Sequence, residues 1–291
     1  MSGNLETIQS VLTSSTCSNE TELCQFCGEP RIYPSVLLGE LNISAPYPHP
    51  CTCDEGLAFA EREKAEREEQ YKAEYDEQVR KARESRIEGI IKRSGMGARS
   101  LSQSFENFDT GMPYAKKLYN GAKAFVDGIE YFMPKNGMPL PKRNGILVIG
   151  PMGTGKTHIA SAIANELISQ EINVICMTER SMLSRIRQTF SERDKSEKEI
   201  LDKFVNVKLL IIDDLGKEKA TEWSLATMYA IIDGRYESVL PTIVTTNYKP
   251  EELVQRLTPT AGDKTTAECI MDRLNEMCHA VLIDGESWRT K

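Results

Sequence analysis

The sequence predicts an α/β protein, a parallel sheet with helices on both faces, preceded by a small cysteine-rich head and a long charged helix. Three observations carry this. Apolar runs alternate with amphipathic stretches between residues 145 and 284, five of the eight cysteines fall before residue 54, and the segment between turns almost wholly to charged residues. Alternating strand-like and helix-like segments dictate parallel pairing through crossover helices, and ligands then sit at the carboxyl ends of the strands.

Composition bounds the function classes. The 291 residues suffice for one or two domains at roughly 100–200 residues each, and 40% hydrophobic content is enough to build a core. A net charge of −7 and a pI near 5.3 exclude a surface coated for non-specific nucleic-acid binding but leave room for a local basic groove. There is no apolar run of about 18 residues, and Met1 to Ser10 lacks a basic-then-apolar signal, so a soluble cytoplasmic protein is expected. In that compartment cysteines serve as metal ligands or buried thiols rather than disulfides.

Cys24-Gln25-Phe26-Cys27-Gly28 has the form of a knuckle in which two thiolates converge on one ion, with Gly28 relieving the tight backbone. Cys51-Thr52-Cys53 supplies a second pair, preceded by His49. Four thiolates, or three with His49, satisfy tetrahedral Zn²⁺, whereas free reduced thiols in a loose terminus are the simpler alternative. The head is poor in apolar residues and carries Pro30, Pro34, Pro46, Pro48 and Pro50, so a structural metal would supply a staple it otherwise lacks. Residues 1–16 are polar and read as disordered, and residues 1–60 as one zinc-binding domain.

From Glu61 to Arg93 there are ten acids and ten bases, with no glycine before Gly89 and no proline. That predicts a solvated helix about 50 Å long. Tyr71, Tyr75, Val79 and Ala82 form a narrow apolar seam, which suits a spacer helix or, alternatively, a coiled-coil docking surface. Ser94-Gly95-Met96-Gly97 ends it as a hinge, making residues 61–100 a linker.

Residues 101–291 carry the chemistry. The strand Gly145–Ile149 runs into Gly150-Pro151-Met152-Gly153-Thr154-Gly155-Lys156-Thr157 and then a helix pattern at Ile159, Ala160, Ile163, Ala164 and Leu167. Strand, Gly-rich turn and helix in that order form a phosphate-binding loop, whose backbone N–H groups cradle a polyphosphate. Lys156 reaches the β- and γ-phosphates, Thr157 holds Mg²⁺, and His158 completes the nucleotide-contacting stretch. A second strand is expected over Ile172–Met177, followed by a basic amphipathic segment from Ser181 to Phe190. The apolar run from Val207 ends in Asp213-Asp214. There Asp213 would bind Mg²⁺ through water and Asp214 would polarise the attacking water, although it is a methylene shorter than the usual glutamate. A helix spans Thr221–Val239, and the strand Thr242–Asn247 ends on Asn247, which either orients the nucleophile or simply terminates the strand.

Together GPMGTGKT, LLIIDDLGKE followed by Trp223, Asp233-Gly234-Arg235-Tyr236, PTIVTTN and Ile270-Met271-Asp272-Arg273-Leu274 resemble the DnaC/DnaI-type replicative helicase loaders, an IstB-like clade of AAA+ ATPases that includes phage-encoded members. The resemblance covers residues 101–291. It implies an AAA+ P-loop fold with a five-stranded sheet, and an ATPase that docks a hexameric replicative helicase through its N-terminal domain and places it on single-stranded DNA. It also implies self-association, in which Arg273 is an arginine finger reaching a neighbour's ATP; otherwise Arg273 is a surface residue paired to Glu276 or Glu268. Ser104-Phe105-Glu106-Asn107-Phe108 resembles the segment before the adenine pocket, so Phe105 and Phe108 line it or pack in the core. Arg185, Arg187 and Phe190 fall where related proteins contact single-stranded DNA, or else decorate a solvated helix. After the fifth strand, Ala280–Asp284, no helical lid is expected, and Arg289 stands in by position for a lid-borne arginine. Two other functions fit the residues: an IstB-like transposition ATPase, and a nucleotide-switched adaptor with little hydrolysis.

Overall fold

Val, Ile and Leu dominate the strand-like runs, and each run is separated from the next by enough chain for a crossover helix, so the strands can align in parallel. A computed structural model describes residues 22–31, 35–38, 41–44, 51–135, 137–189, 197–260, 262 and 264–284. The chain divides into two units, Met1–Ala82 and Arg83–Lys291.

In the first unit, β1 (Ser35–Leu38) and β2 (Leu41–Ser44) pair antiparallel, and α1 (Asp54–Ser94) begins directly after Cys53. The helix starts seven residues before the predicted Glu61. Asp54 and Glu55 occupy its first turn, where acidic side chains complement the helix dipole, and the Gly56 N–H donates to Cys53 Sγ at 3.3 Å. Along the charged stretch Arg67 pairs with Glu63 and Lys81 with Glu77 one turn apart, each worth about 0.3–0.5 kcal/mol. The predicted seam is exposed, with Tyr71 at 72% and Tyr75 at 58%.

The second unit takes in the end of α1 and continues with α2 (Ala98–Leu101), α3 (Pro113–Asp127), α4 (Ile129–Phe132), β3 (Gly145–Ile149), α5 (Lys156–Ser169) and β4 (Val174–Thr178). It goes on with α6 (Glu179–Thr189), α7 (Glu197–Asn206), β5 (Leu209–Asp213), α8 (Glu222–Glu237), β6 (Thr242–Thr246), α9 (Pro250–Leu257), α10 (Thr265–Met277) and β7 (Cys278–Leu282). The sheet order is β4-β5-β6-β3-β7, and every pairing is parallel. Both faces are buried, as parallel sheets require. Leu147, Ile175, Leu210 and Val244 face a core built with α6 to α10, while Val148, Cys176, Ile211 and Ile243 face the core that receives α3 and α5.

Strand ends differ from the sequence expectation by at most two residues. The fifth strand runs Cys278–Leu282 instead of 280–284, because α10 leads into it with no intervening loop. Leu209–Asp213 is shorter than the predicted run because Asp214 turns out of the sheet at φ 57°. The Gly145–Ile149 strand is as expected, and the 221–239 helix is capped at Thr221, whose hydroxyl accepts the Ser224 N–H. At the end of α1, Arg86 and Arg83 meet Glu171, and Ile90 is buried. Ser94 closes the helix, with its hydroxyl donating to the Ile91 carbonyl and accepting the Met96 N–H.

Candidate nucleotide-binding site and cysteine cluster

Parallel pairing brings three neighbouring strand ends, those of β5, β6 and β3, to one edge of the sheet. The loop 150–155 follows β3, Asp213 closes β5, and Asn247 follows β6. Gly153 and Gly155 have φ of 81° and 86°, the left-handed region that a side chain resists, and the chain there curls into the start of α5. Lys156 is 5% exposed, and its ammonium donates to the Gly150 and Pro151 carbonyls at 2.8 and 2.7 Å. Thr154 is buried and its hydroxyl donates to the Pro151 carbonyl, closing the loop from within.

Across the cleft, Thr157 Oγ1 lies 3.0 Å from both Asp213 carboxylate oxygens. Asp213 also accepts from Thr245 Oγ1 at 2.6 Å. Burial raises the Asp213 pKa; the Thr245 hydrogen bond opposes the rise and the neighbouring Asp214 charge adds to it. The Lys156 charge also opposes the rise, and a divalent ion bound beside the carboxylate would reverse it. Asp214 is held by its N–H to Thr245 Oγ1 at 3.0 Å, and its carboxylate meets Lys217 Nζ at 3.0 Å and Asn247 Nδ2 at 3.5 Å. The loop, both aspartates and Asn247 border a cavity of about 490 Å³.

The remaining predicted nucleotide residues separate. Phe108 and His158 line the cavity, ring edge to ring face with centroids 5.1 Å apart. Phe105, by contrast, packs in the core edge-on to Tyr119 under the Lys123 ammonium. His158 Nε2 bridges to the Ser104 carbonyl and Asn107 Oδ1, tying α5 to the segment before α3. Arg289 lies outside the described residues. Sequence reasoning missed Arg99, Gln103, Asn107, Asp109 and Lys217 on the cavity wall, and Thr245 behind it. Gln103 Oε1 is buried without a partner among the described residues, an acceptor available to a donor on a ligand. It also missed Glu179, buried at the start of α6, whose carboxylate accepts the Gly216 N–H at 2.9 Å and so clasps the turn after Asp214. Burial raises its pKa, against the backbone N–H groups of Gly216, Glu218 and Lys217.

Arg273, on α10, lies away from this cavity. Its Nε donates to Asp233 Oδ1 at 3.1 Å and its guanidinium stacks 4.3 Å from the Tyr236 ring. Thus Asp233, not Glu276 or Glu268, is its ion-pair partner. On α6 the guanidinium of Arg187 covers the Trp223 ring at 4.6 Å. Arg185, two residues earlier, instead borders a separate groove of about 680 Å³ at the amino ends of β4 and β5, with Arg93, Lys203, Lys208 and Asp202. Phe190 lies outside the described residues.

In the first unit Cys24, Cys27, Cys51 and Cys53 converge, their Sγ atoms all within 4.8 Å of one another. Cys24–Cys53 and Cys27–Cys51 are 3.9 and 3.2 Å apart, bracketing the roughly 3.8 Å that sulfurs bonded to tetrahedral zinc at about 2.3 Å would show. The knuckle is closed by the Gly28 N–H to the Cys24 carbonyl at 2.8 Å, and backbone N–H groups of Cys27 and Phe26 draw the Cys24 thiol down to about 6. A Cβ on Gly56 would fall 2.9 Å from Cys53 Sγ, so the first turn of α1 lies against the thiols. His49 lies outside the described residues.

Residues 140–291, just over half of the chain, match the family described as IstB-like ATP binding protein. The chain belongs to that family. Its second unit is thus an ATP-binding AAA+ P-loop domain with a five-stranded parallel sheet. Among curated proteins this IstB-like chain is similar to the replicative helicase loader DnaC of Escherichia coli strain K12, 27% identical over 73% of this chain and 79% of that one. It is also 27% identical to the loader DnaI of Bacillus subtilis strain 168, over 65% of this chain and 59% of that one. An insertion-sequence ATP-binding protein of Geobacillus stearothermophilus is 32% identical over 52% and 58%. A solved DnaI structure superposes with a TM-score of 0.50 at 26% identity, covering 66% of this chain and 93% of that one. A solved DnaC helicase loader does so at 0.52 and 22%, over 65% and 100%, a likeness of fold. Among the described residues no helix is long and apolar enough to cross a membrane.

Proposed function

We propose that this chain is an ATP-dependent loader that binds a hexameric replicative helicase and helps place it on single-stranded DNA. The observation that carries the nucleotide half is the convergence of Lys156, Thr157, Asp213, Asp214 and Asn247 on one cavity from three adjacent strand ends. The loader half rests on likeness to proteins named as replicative helicase loaders, over 79% of the length of the E. coli one.

ATP is the substrate. Its triphosphate would lie on the N–H groups of residues 152–157, where Lys156 exchanges its loop carbonyls for β- and γ-phosphate oxygens. The adenine amine is a donor suited to the unmet Gln103 Oε1, beside Phe108. Thr157 and Asp213 would hold Mg²⁺, which neutralises charge developing on the phosphates. Asp214 takes a proton from the attacking water, and Asn247 fixes that water's position. Arg273 would complete the site of a neighbouring copy, which makes self-association part of turnover.

The four thiols fit one structural Zn²⁺, which would staple a head that we assign to residues 1–60 and to helicase docking, ahead of a linker at 61–100 and the ATPase domain at 101–291. Arg185 shares its groove with Arg93, Lys203 and Lys208 against one carboxylate, a charge balance that supports phosphate contact by single-stranded DNA. An IstB-like transposition ATPase is the second function, favoured by the 32% identity to the insertion-sequence protein.

Co-purification of the full chain with the host's replicative helicase separates the two. The loader should bring the hexamer with it, and lose it when residues 1–60 are removed. A chain that ignores helicase yet is retained by a transposase belongs to the second class.

A further inference from the structure

Arg273 is held in a way that a plain surface ion pair does not need. Asp233 and Tyr236 sit three apart on one face of α8, and both engage the guanidinium presented by α10. Asp233 takes only the Nε–H edge, at 3.1 Å, and the Tyr236 ring covers one flat face. Among the described residues the terminal nitrogens of Arg273 meet no acceptor. Those two nitrogens form the end-on fork that binds two oxygens of one phosphate, while a carboxylate on Nε occupies the adjacent edge. The Tyr236 hydroxyl lies near the Glu276 carboxylate, one turn beyond Arg273 on α10, which raises its pKa. The side chains of Arg273 and Asp233 are 30% and 28% exposed, so the fork reaches solvent from a packed base.

We infer that Asp233 and Tyr236 are positioning residues that present the free fork of Arg273 to the triphosphate of a neighbouring copy. This rests on the finger role proposed above for Arg273. A long arginine left to itself samples many rotamers, and each must be lost when it meets phosphate. Holding Nε and one face in advance removes much of that loss, the general benefit of a preorganised group.

Mixed assemblies of full-length protein test it. Asp214→Asn copies, able to bind nucleotide but not to turn it over, donate fingers; Arg273→Ala copies supply competent ATP sites. The mixture should hydrolyse ATP well above either variant alone. Adding Asp233→Asn to the finger donor should cut the recovered rate about ten-fold, an effect on the barrier of roughly 1.4 kcal/mol. The same change on the Arg273→Ala copies should leave the rate within about two-fold, although any damage to folding would be equal. On the donor, Tyr236→Phe should be tolerated and Tyr236→Leu should not, since the ring face is what Arg273 uses.

Equal losses from both placements, no loss from the donor, or a rise in rate from the donor, as a latch would give, each overturn the cradle while leaving the finger intact. Full ATPase in Arg273→Ala protein alone would instead remove the finger role, and the cradle with it.

Discussion

At the scale of single residues, the site is a set of groups each held by a neighbour of opposite need. Asp213 accepts from two threonine hydroxyls, Lys156 donates to two loop carbonyls, and Asp214 meets both Lys217 and Asn247. Thr245 serves twice, donating to Asp213 and accepting from the Asp214 backbone, so it sets the spacing of the two carboxylates. Asp214→Asn is therefore expected to leave ATP affinity within about two-fold while cutting turnover by about 10²-fold or more, the usual size of a general-base contribution. Binding by fluorescent nucleotide and turnover by phosphate release would separate the two. Gln103→Leu is expected to narrow the preference for ATP over GTP by about ten-fold, roughly one buried hydrogen bond. Lys156, Thr157 and Asp213 were legible because each has a fixed place beside a glycine loop or a strand end. Gln103, Arg99 and Asn107 were not, because they reach the cavity through the packing of a segment far from the loop in sequence. Phe105 and Phe108 show the limit: two aromatics three apart carry no sign of which one faces a ligand, and only Phe108 does.

At the scale of elements, short contacts transmit position from one strand end to the next. Glu179 opens α6, and its carboxylate fixes the turn that follows Asp214. Burial raises its pKa, so the folded state holds a proton more tightly than the unfolded chain does. Between the unfolded value near 4.5 and the raised folded one, stability must then fall as pH rises. Glu179→Gln keeps an acceptor and removes the charge, and should flatten this slope in urea titrations across that window. Glu179→Ala leaves buried N–H groups unmet and should cost about 1–3 kcal/mol at any pH. Arg235 holds another junction: completely buried, it donates to carbonyls of Phe204, Val205, Val207 and Pro241 and to the Thr242 hydroxyl, joining the end of α7 to the start of β6. Arg235→Met is expected to destabilise by about 3–5 kcal/mol, read as a loss of urea midpoint, because those carbonyls lose their donor together. The strand order of such a sheet follows from long-range pairing, which apolar runs do not encode; the runs showed only that strands exist and that they are buried on both faces. The early start of α1 was hidden because its first turns follow the cysteine pair directly and, after Asp54 and Glu55, run through Gly56-Leu57-Ala58-Phe59-Ala60, without the charge pattern that marks the rest of the helix.

At the scale of the whole molecule, two units carry two kinds of stability. The ATP-binding unit has a core on each side of its sheet, whereas the head brings together four thiols and little apolar mass. Purified protein should contain about one zinc per chain, and a chelator should release it along with helicase binding. Nucleotide binding should survive, because none of the cavity residues belongs to the head. Loss of ATP binding on zinc removal would show that the units are not separable in this way. The sequence made both parts visible, one by the spacing of cysteines and the other by the loop, but could not pair Arg273 with Asp233, which stand on different helices 40 residues apart. The central claim is loading, and circular single-stranded DNA tests it most directly, since a closed helicase ring has no free end to thread. With ATP, the full chain should transfer the replicative helicase onto such circles, and Lys156→Ala protein should do so at least about ten-fold more slowly. Equal transfer by the two proteins, or none by either with a helicase that the chain demonstrably binds, would contradict it.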